Sequence, residues 1–206
     1  MPTPYDQTRA DYDTAVNFHA EKSAQYKWSA QVNQFTKFLK GPKVLDVGCG
    51  SGQGTQSLLN KGLTVEGLDF SGETIKVCRE RFPKVQFYKS DMRNTKLPDT
   101  SYDGIWACAS ILNLSKADVP SALQEFSRIL KKGGVAFISV KEGQDEKMIP
   151  DQHGERFFSF YTEPEIKDFI EKAGFKILQS EIVADKALTH EPSDKPNWIC
   201  IWAEKD

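Results

Sequence analysis

A glycine-rich stretch at residues 44–55 places the strongest constraint on how this chain folds. The stretch reads VLDVGCGSGQGT, so a short apolar run carries an acid, Asp46, at its end and is followed by glycine at every second position. This pattern, with an amphipathic segment after it, is typical of a buried strand, a tight loop and a helix. Glycine accepts positive φ angles and leaves main-chain amides open to a ligand. The first amides of the helix point towards the same ligand.

The spacing of the loop argues against two common nucleotide motifs. A dinucleotide-binding loop needs G-x-G-x-x-G, but the sixth position is Gln53 when counted from Gly48 and Thr55 when counted from Gly50. No Gly-Lys-Ser/Thr follows, so a Walker A loop is absent. Asp46 would repel a pyrophosphate and would suit a ligand that carries an amine and a sulfonium. The alternative is a plain glycine-rich turn in an α/β protein.

The form acid-x-Gly-x-Gly-x-Gly resembles the first motif of the class I S-adenosylmethionine-dependent methyltransferases, in particular the type 11/25-like, small-molecule branch. The resemblance covers about residues 26–140, with four motifs in order, and strands alternate with helices over much of this region. It implies an α/β, Rossmann-like three-layer sandwich whose mostly parallel seven-stranded sheet has its last strand antiparallel. We expect one domain over residues 1–206, with an N-terminal helical cap at about residues 13–40.

The regions outside the motifs give further expectations. Residues 1–12 are expected to lack regular structure, and residues 141–156 read as a polar loop. Residues 175–183 and 197–203 read as two final strands that form a hairpin with a long loop.

Composition limits the classes of partner. The chain has 206 residues, which favours one domain with a substantial core. A net charge of −2 without a basic stripe argues against nucleic acid. The longest apolar runs fall far short of the roughly 20 residues of a membrane span. We therefore expect a small-molecule substrate, no nucleic acid, no membrane, and a monomer or homodimer.

Cysteine and histidine usage indicates the compartment. The four cysteines contain no C-x-x-C pair and the three histidines are scattered, so no metal site is expected. Widely spaced, unpaired cysteines are typical of reduced thiols in a cytoplasmic protein. Cys108 could serve as a nucleophile, but a buried strand cysteine is the simpler interpretation.

The cofactor-binding residues follow from position and from the resemblance. Asp69 ends the second strand, where a carboxylate accepts hydrogen bonds from ribose hydroxyls, and Phe70 could pack on the adenine. The resemblance gives Asp91 the adenine amino group and Met92 a contact with the ring, and it lets Tyr26 reach the cofactor carboxylate. Each of these residues has a purely structural alternative. Asp69 would be a solvated loop carboxylate, Asp91 a turn residue, and Tyr26 a half-buried packing tyrosine. The full set is Tyr26, Asp46, Gly48, Cys49, Gly50, Gly52, Asp69, Phe70, Ser71, Asp91, Met92, Arg93 and Ala107.

The acceptor site is less defined. Asn113 stands where many relatives carry histidine, and an amide positions a substrate but takes no proton near neutral pH. Arg156 is expected to hold an anionic or polar group of the substrate, although pairing with a neighbouring glutamate is the alternative. Phe157 and Tyr161 are expected beside it. His153 and Tyr161 are the candidates for a catalytic base, which this reaction needs only for some acceptors.

The expected activity is transfer of a methyl group from S-adenosylmethionine to a small-molecule acceptor, with S-adenosylhomocysteine as the product. The protein would mainly align nucleophile, methyl carbon and leaving sulfur. A non-catalytic S-adenosylmethionine-binding module is the first alternative. An NAD-dependent oxidoreductase is the second, and the glycine spacing and Asp46 count against it.

Overall fold

The computed structural model describes residues 3–150 and 153–206. Within these residues, the strands form one nine-stranded sheet flanked by helices. The helices are α1 (Pro4–Thr14), α2 (Val16–Ala24), α3 (Ser29–Phe38), α4 (Gln53–Leu59), α5 (Gly72–Arg81), α6 (Val119–Ile129), α7 (Glu163–Lys172) and α8 (Asp185–Thr189). The strands are β1 (Lys43–Val47), β2 (Thr64–Asp69), β3 (Gln86–Lys89), β4 (Tyr102–Cys108), β5 (Leu130–Glu142), β6 (Glu146–Pro150), β7 (Glu155–Tyr161), β8 (Phe175–Val183) and β9 (Trp198–Lys205).

The sheet has the predicted topology at its centre. Strands β3, β2, β1, β4 and β5 lie side by side in parallel. The last strand, β9, runs antiparallel between β5 and β8. These seven strands confirm the mostly parallel sheet with an antiparallel last strand, and they confirm the final hairpin. The carboxyl ends of β1, β2 and β4 therefore meet at one edge, where ligands bind in open α/β sheets.

A second hairpin, formed by β6 and β7, was not predicted. It joins the sheet where the end of β5 pairs with β7, at Lys141 opposite Phe160 and Glu142 opposite Tyr161. The expectation of a polar loop over residues 141–156 is therefore wrong for β6. The β6 sequence EKMIP is short, places its two charged residues together and shows no alternation, so it carried no strand signal.

The N-terminal segment is helical from Pro4, and the expectation of irregular structure before residue 13 is wrong there. Residues 1 and 2 lie outside the described residues. Thr3 and Asp6 form a capping box at the start of α1. The cap expected at residues 13–40 is divided into the end of α1, then α2 and α3.

Helix α1 is polar and nevertheless packs against β7 and α5. Its inward face carries polar groups that make specific contacts: the Thr8 hydroxyl accepts a hydrogen bond of 2.9 Å from the Phe157 amide, and Asp11 is buried. Periodicity of apolar residues could not reveal such a helix. None of the helices within residues 3–150 and 153–206 has the length and apolar character needed to cross a membrane.

Candidate active site

The loop between β1 and α4 has the backbone that its glycines predict. Gly48, Gly50 and Gly52 have φ angles of 67°, 51° and 86°, in the left-handed region that favours glycine. A Cβ atom at Gly48 would collide with the side chain of Ser110, whereas one at Gly50 would meet nothing within 4 Å. Gly48 is thus needed for close packing, and Gly50 leaves open space beside the backbone of the loop.

A cavity of about 550 Å³ lies against this loop, at the carboxyl ends of β1 and β4. Its other walls come from α1 and α2, from the β6–β7 hairpin, and from the segment before β9. Tyr26, Asp46, Gly48, Cys49 and Gly50, all predicted to bind the cofactor, line it. The structure therefore brings the glycine loop, the N-terminal helices and the hairpin around one chamber.

Asp46 is the acid at the entrance of the loop. It is 3% exposed and accepts a hydrogen bond of 2.7 Å from the Thr55 hydroxyl. Burial raises the pKa of Asp46 to about 7, although the bond from Thr55 acts in the opposite direction. Near neutral pH, this carboxyl group therefore exists in both charged and protonated forms.

Asp69 lies behind the loop at the end of β2. Its carboxylate accepts hydrogen bonds of 3.0 Å from the Gly50 amide and 2.9 Å from the Ser71 amide. Burial raises the pKa of Asp69 to about 6, against the effect of these bonds. Asp69 thus orients the glycine loop, and its contact with a ribose stays a prediction.

The residues expected around the adenine are brought together, and Tyr5 of α1 lies among them. The Tyr5 and Phe70 rings have centroids 4.9 Å apart, and the Arg93 guanidinium lies 4.4 Å from the centre of the Tyr5 ring. Burial and the nearby Asp91 carboxylate raise the pKa of Tyr5. The Ser71 hydroxyl donates a bond of 2.6 Å to Asp13 at the end of α1. In this conformation, α1 therefore covers the predicted adenosine contacts.

The Asp91 carboxylate is already paired in this conformation. It forms an ion pair of 2.6 Å with Arg93, and Met92 between them is buried. Burial acts to raise the pKa of Asp91, but the Arg93 bonds hold it below its usual range. Asp91 stays ionised and available as an acceptor for an amino group.

A buried ion pair closes another side of the cavity. Lys141, at the end of β5, donates a bond of 2.5 Å to Asp185 and one of 2.9 Å to the Pro196 carbonyl. Asp185 also accepts bonds from the Tyr26 hydroxyl at 3.0 Å and from the Trp198 indole at 2.9 Å. Burial lowers the pKa of Lys141 to about 8, although Asp185 opposes that shift. Tyr26 therefore holds this pair, and its contact with a cofactor carboxylate stays a prediction.

Strand β7 places its aromatic residues on two faces. Arg156, Phe158 and Phe160 line the cavity, as expected for alternate residues of a strand. Phe157 and Tyr161, the other predicted substrate residues, have the opposite parity and do not line the cavity among the described residues. Burial raises the pKa of the Tyr161 hydroxyl, which disfavours its ionisation.

Other predicted residues also lie outside the described lining of the cavity. The Asn113 amide donates a bond of 2.7 Å to the Phe157 carbonyl, so it supports the hairpin. His153 contacts the edge of the Phe18 ring at 4.6 Å between centroids. Ala107 is buried within β4, immediately before the lining residue Cys108.

Arg156 joins the hairpin to α1. Its guanidinium donates a bond of 3.0 Å to the Tyr12 hydroxyl and lies 3.7 Å from an oxygen of Asp11. It also lies 5.1 Å from the centre of the Phe158 ring. Arg156 is 16% exposed as a side chain and lines the cavity, so its charge faces both the helix and the chamber.

The lining residues that sequence analysis missed include His19 and Lys141. His19 lies 2.6 Å from the buried Asp11, measured between Nε2 and Oδ1. The two residues belong to different helices, and the helix that holds Asp11 carried no apolar pattern. Lys141 follows an unbroken apolar strand, and a lysine directly after such a strand was a signal that could have indicated a residue at the ligand edge.

The sequence comparisons agree with the loop and the sheet. Residues 44–134 match the family described as "Methyltransferase domain". These residues belong to that methyltransferase family. The Streptomyces halstedii protein named methyltransferase GfsG is 30% identical over 172 residues, which are 76% of this chain and 60% of the relative. A demethylmenaquinone methyltransferase of Chlorobaculum tepidum is 32% identical over 150 residues, which are 71% of this chain and 59% of the relative. The chain thus spans about three fifths of these relatives' length.

Solved structures show the same fold for the methyltransferase domain. The 1,6-didemethyltoxoflavin-N1-methyltransferase of Burkholderia thailandensis aligns with a TM-score of 0.78 and 18% identity, over 100% of this chain and 91% of that one. That structure holds 1,6-didemethyltoxoflavin and S-adenosylhomocysteine. The likeness demonstrates a shared class I methyltransferase fold.

Proposed function

We propose that this protein is an S-adenosylmethionine-dependent methyltransferase that acts on a small-molecule acceptor. The observation that carries the proposal is the chamber of about 550 Å³ between the glycine loop and the β6–β7 hairpin. Its volume lies within the range of about 300–1,000 Å³ for small-molecule sites. The matching family and the names of the relatives support the same reaction class.

The residues of the chain fit this cofactor. The open space beside Gly50 would admit a ligand against the loop, and the Asp46 carboxylate lies where a cationic ligand would be favoured. Asp69 and Asp91 lie outside the described lining of the chamber. Asp69 would accept hydroxyl donors in addition to its two amide bonds, and Asp91 would accept an amine in addition to its bonds from Arg93. The cofactor would supply a methyl group on a cationic sulfur, which is already electrophilic.

The walls of the chamber support an acceptor that combines a flat apolar body with an acidic or strongly polar group. Aromatic side chains from four parts of the fold line the chamber, namely Trp28, Trp106, Phe158, Phe160 and Trp198. Arg156 and Lys141 line the chamber at separate positions, and each lies beside a carboxylate, Asp11 and Asp185 respectively. A guanidinium presents its donors in a planar fork that matches a carboxylate.

The test begins with binding. Calorimetry with S-adenosylhomocysteine should give one site, while NAD should give no heat because the loop lacks the dinucleotide spacing. Release of S-adenosylhomocysteine from S-adenosylmethionine is then measured with a panel of phenols, hydroquinones and aromatic carboxylates. Tight binding of NAD without binding of S-adenosylhomocysteine would overturn the proposal. Binding without turnover of any acceptor would favour the non-catalytic module.

Two further proposals concern the state of the protein. We propose a cytoplasmic location, from the four free cysteines, and a monomer or homodimer in solution. Light scattering coupled to size exclusion measures the mass against the 23.2 kDa of one chain.

A further inference from the structure

His19 and Asp11 form a buried pair at the wall of the cavity. Asp11 lies in α1 and is 5% exposed, and His19 lies in α2 and is 8% exposed. The distance of 2.6 Å between His19 Nε2 and Asp11 Oδ1 is that of a strong, charge-assisted hydrogen bond. His19 lines the chamber, whereas Asp11 lies behind it. The histidine thus stands between a carboxylate and the space proposed for the acceptor.

The Asp11 carboxylate has a second partner besides His19. The Arg156 guanidinium of β7 lies 3.7 Å from it. Asp11 therefore links His19 to the β6–β7 hairpin. The Tyr12 and Phe18 rings contact the ring of His19, at 4.7 Å and 5.3 Å between centroids. Phe18 also contacts His153 and Lys22.

We propose that His19, oriented by Asp11, accepts the proton that the acceptor loses during methyl transfer. This inference rests on the proposed function. As the bond from the acceptor oxygen or nitrogen to the methyl carbon forms, the bond from that carbon to sulfur breaks and its electron pair goes to sulfur. The proton of the acceptor passes to Nδ1 of His19. Asp11 keeps Nε2 protonated, fixes the ring, and stabilises the imidazolium that results.

The geometry favours His19 over the other titratable groups considered. The Tyr161 hydroxyl is fully buried away from the described cavity lining, and burial raises its pKa. Lys141 is bound to Asp185 and to the Pro196 carbonyl, so losing its proton would leave the buried Asp185 carboxylate without its cation. Asp11 is a positioning residue in this scheme and does not contact the acceptor.

The first test needs no acceptor. The full chain is labelled with ¹⁵N-histidine, and the two ring nitrogens of His19 are followed by NMR from pH 5.5 to 8.5, with and without S-adenosylhomocysteine. His19→Asn assigns the signal. We expect a neutral ring at pH 7.5, with Nε2 protonated and Nδ1 not. A ring protonated on both nitrogens throughout this range would overturn the inference, because such a ring takes no proton.

The second test is kinetic and uses the fastest acceptor of the panel. His19→Asn should lower kcat by about 10²- to 10⁴-fold, the usual contribution of a positioned base. KM and the dissociation constant of S-adenosylhomocysteine should change little. Asp11→Asn should shift the pH dependence of kcat, and imidazole should partly rescue His19→Ala. The exposed His190 provides the matched control, since His190→Asn should behave as wild type.

The outcomes separate the two proposals. Unchanged kcat in a folded His19→Asn protein that still binds S-adenosylhomocysteine overturns the role of His19 alone. A lower melting temperature with an unchanged rate per folded molecule means that the His19–Asp11 pair only stabilises the packing of α1 against α2 and β7. Failure of the wild-type chain to bind S-adenosylhomocysteine overturns the proposed function itself.

Discussion

Replacing Tyr5 with alanine should tighten the binding of S-adenosylhomocysteine. The Tyr5 ring lies between Phe70 and Arg93, where the adenine is predicted to bind. A ligand that uses these residues must first displace the ring. Removing the ring in advance takes that cost out of the binding free energy.

The size of the effect follows from the two contacts that the ring would lose. An aromatic pair contributes about 0.5–1.5 kcal/mol, and a cation–π contact at a partly exposed site contributes about 0.5–1 kcal/mol. The total of about 1–2.5 kcal/mol corresponds to a dissociation constant lowered about 5- to 60-fold, because each 1.4 kcal/mol is tenfold.

The assay is calorimetry with S-adenosylhomocysteine and, separately, with adenosine, which reports on the adenine part alone. Tyr5→Phe keeps the ring and should bind like wild type, so it controls for loss of the hydroxyl. Weaker binding by Tyr5→Ala would refute the reasoning, since it would mean that the ring packs on the bound ligand. Unchanged binding would mean that Tyr5 and the adenine do not compete.

Three other variants test the carboxylates of the site. Asp69→Ala should weaken S-adenosylhomocysteine binding by about 1.5–3 kcal/mol, the range for a hydrogen bond to a charged acceptor; unchanged calorimetry would exclude a ribose contact. Without ligand, the free energy of unfolding should fall as pH rises from about 4 to about 7, because Asp46 and Asp69 have pKa values raised from 3.8 to about 7 and about 6. Denaturant titrations of Asp46→Asn should show a smaller decrease in the free energy of unfolding over this pH range. An equally large decrease would contradict the raised pKa of Asp46. Asp185→Ala should destabilise the fold by about 3–5 kcal/mol by leaving Lys141 buried without its counterion, whereas Asp194→Ala on the exposed loop should have little effect.

The central fold could be predicted because its signals are local in the sequence. The acid and alternating glycines of the first loop, the acid at Asp69 and the apolar run before Lys141 each indicate a strand end without reference to distant residues. Helix starts are local as well: Ser71 caps α5, and Thr162 and Glu165 form a capping box at α7.

The walls of the chamber could not be predicted, since they depend on pairings between distant segments. Asp11 is close to Arg156 only because α1 packs on β7, and nothing in the composition of α1 indicates a buried face. The direction of Phe157 and Phe158 depends on the register of β7, and a shift of one residue would exchange their faces. The sequence therefore shows which aromatic residues β7 contains, but it does not show which of them line the cavity.

Helix α1 contacts both the predicted adenine contacts and the acceptor wall, so it connects the two parts of the site. Tyr5 and Tyr12 are two turns apart on one face of the helix, and both touch Phe70, at 4.9 Å and 5.8 Å. Tyr12 also binds Arg156 at the acceptor wall. A ligand that moves α1 when it displaces Tyr5 also moves the Tyr12 contact with Arg156 at the acceptor wall. The affinities for the two substrates are then thermodynamically linked, and this linkage is reciprocal: an acceptor that favours one position of α1 alters the affinity for the cofactor by the same factor.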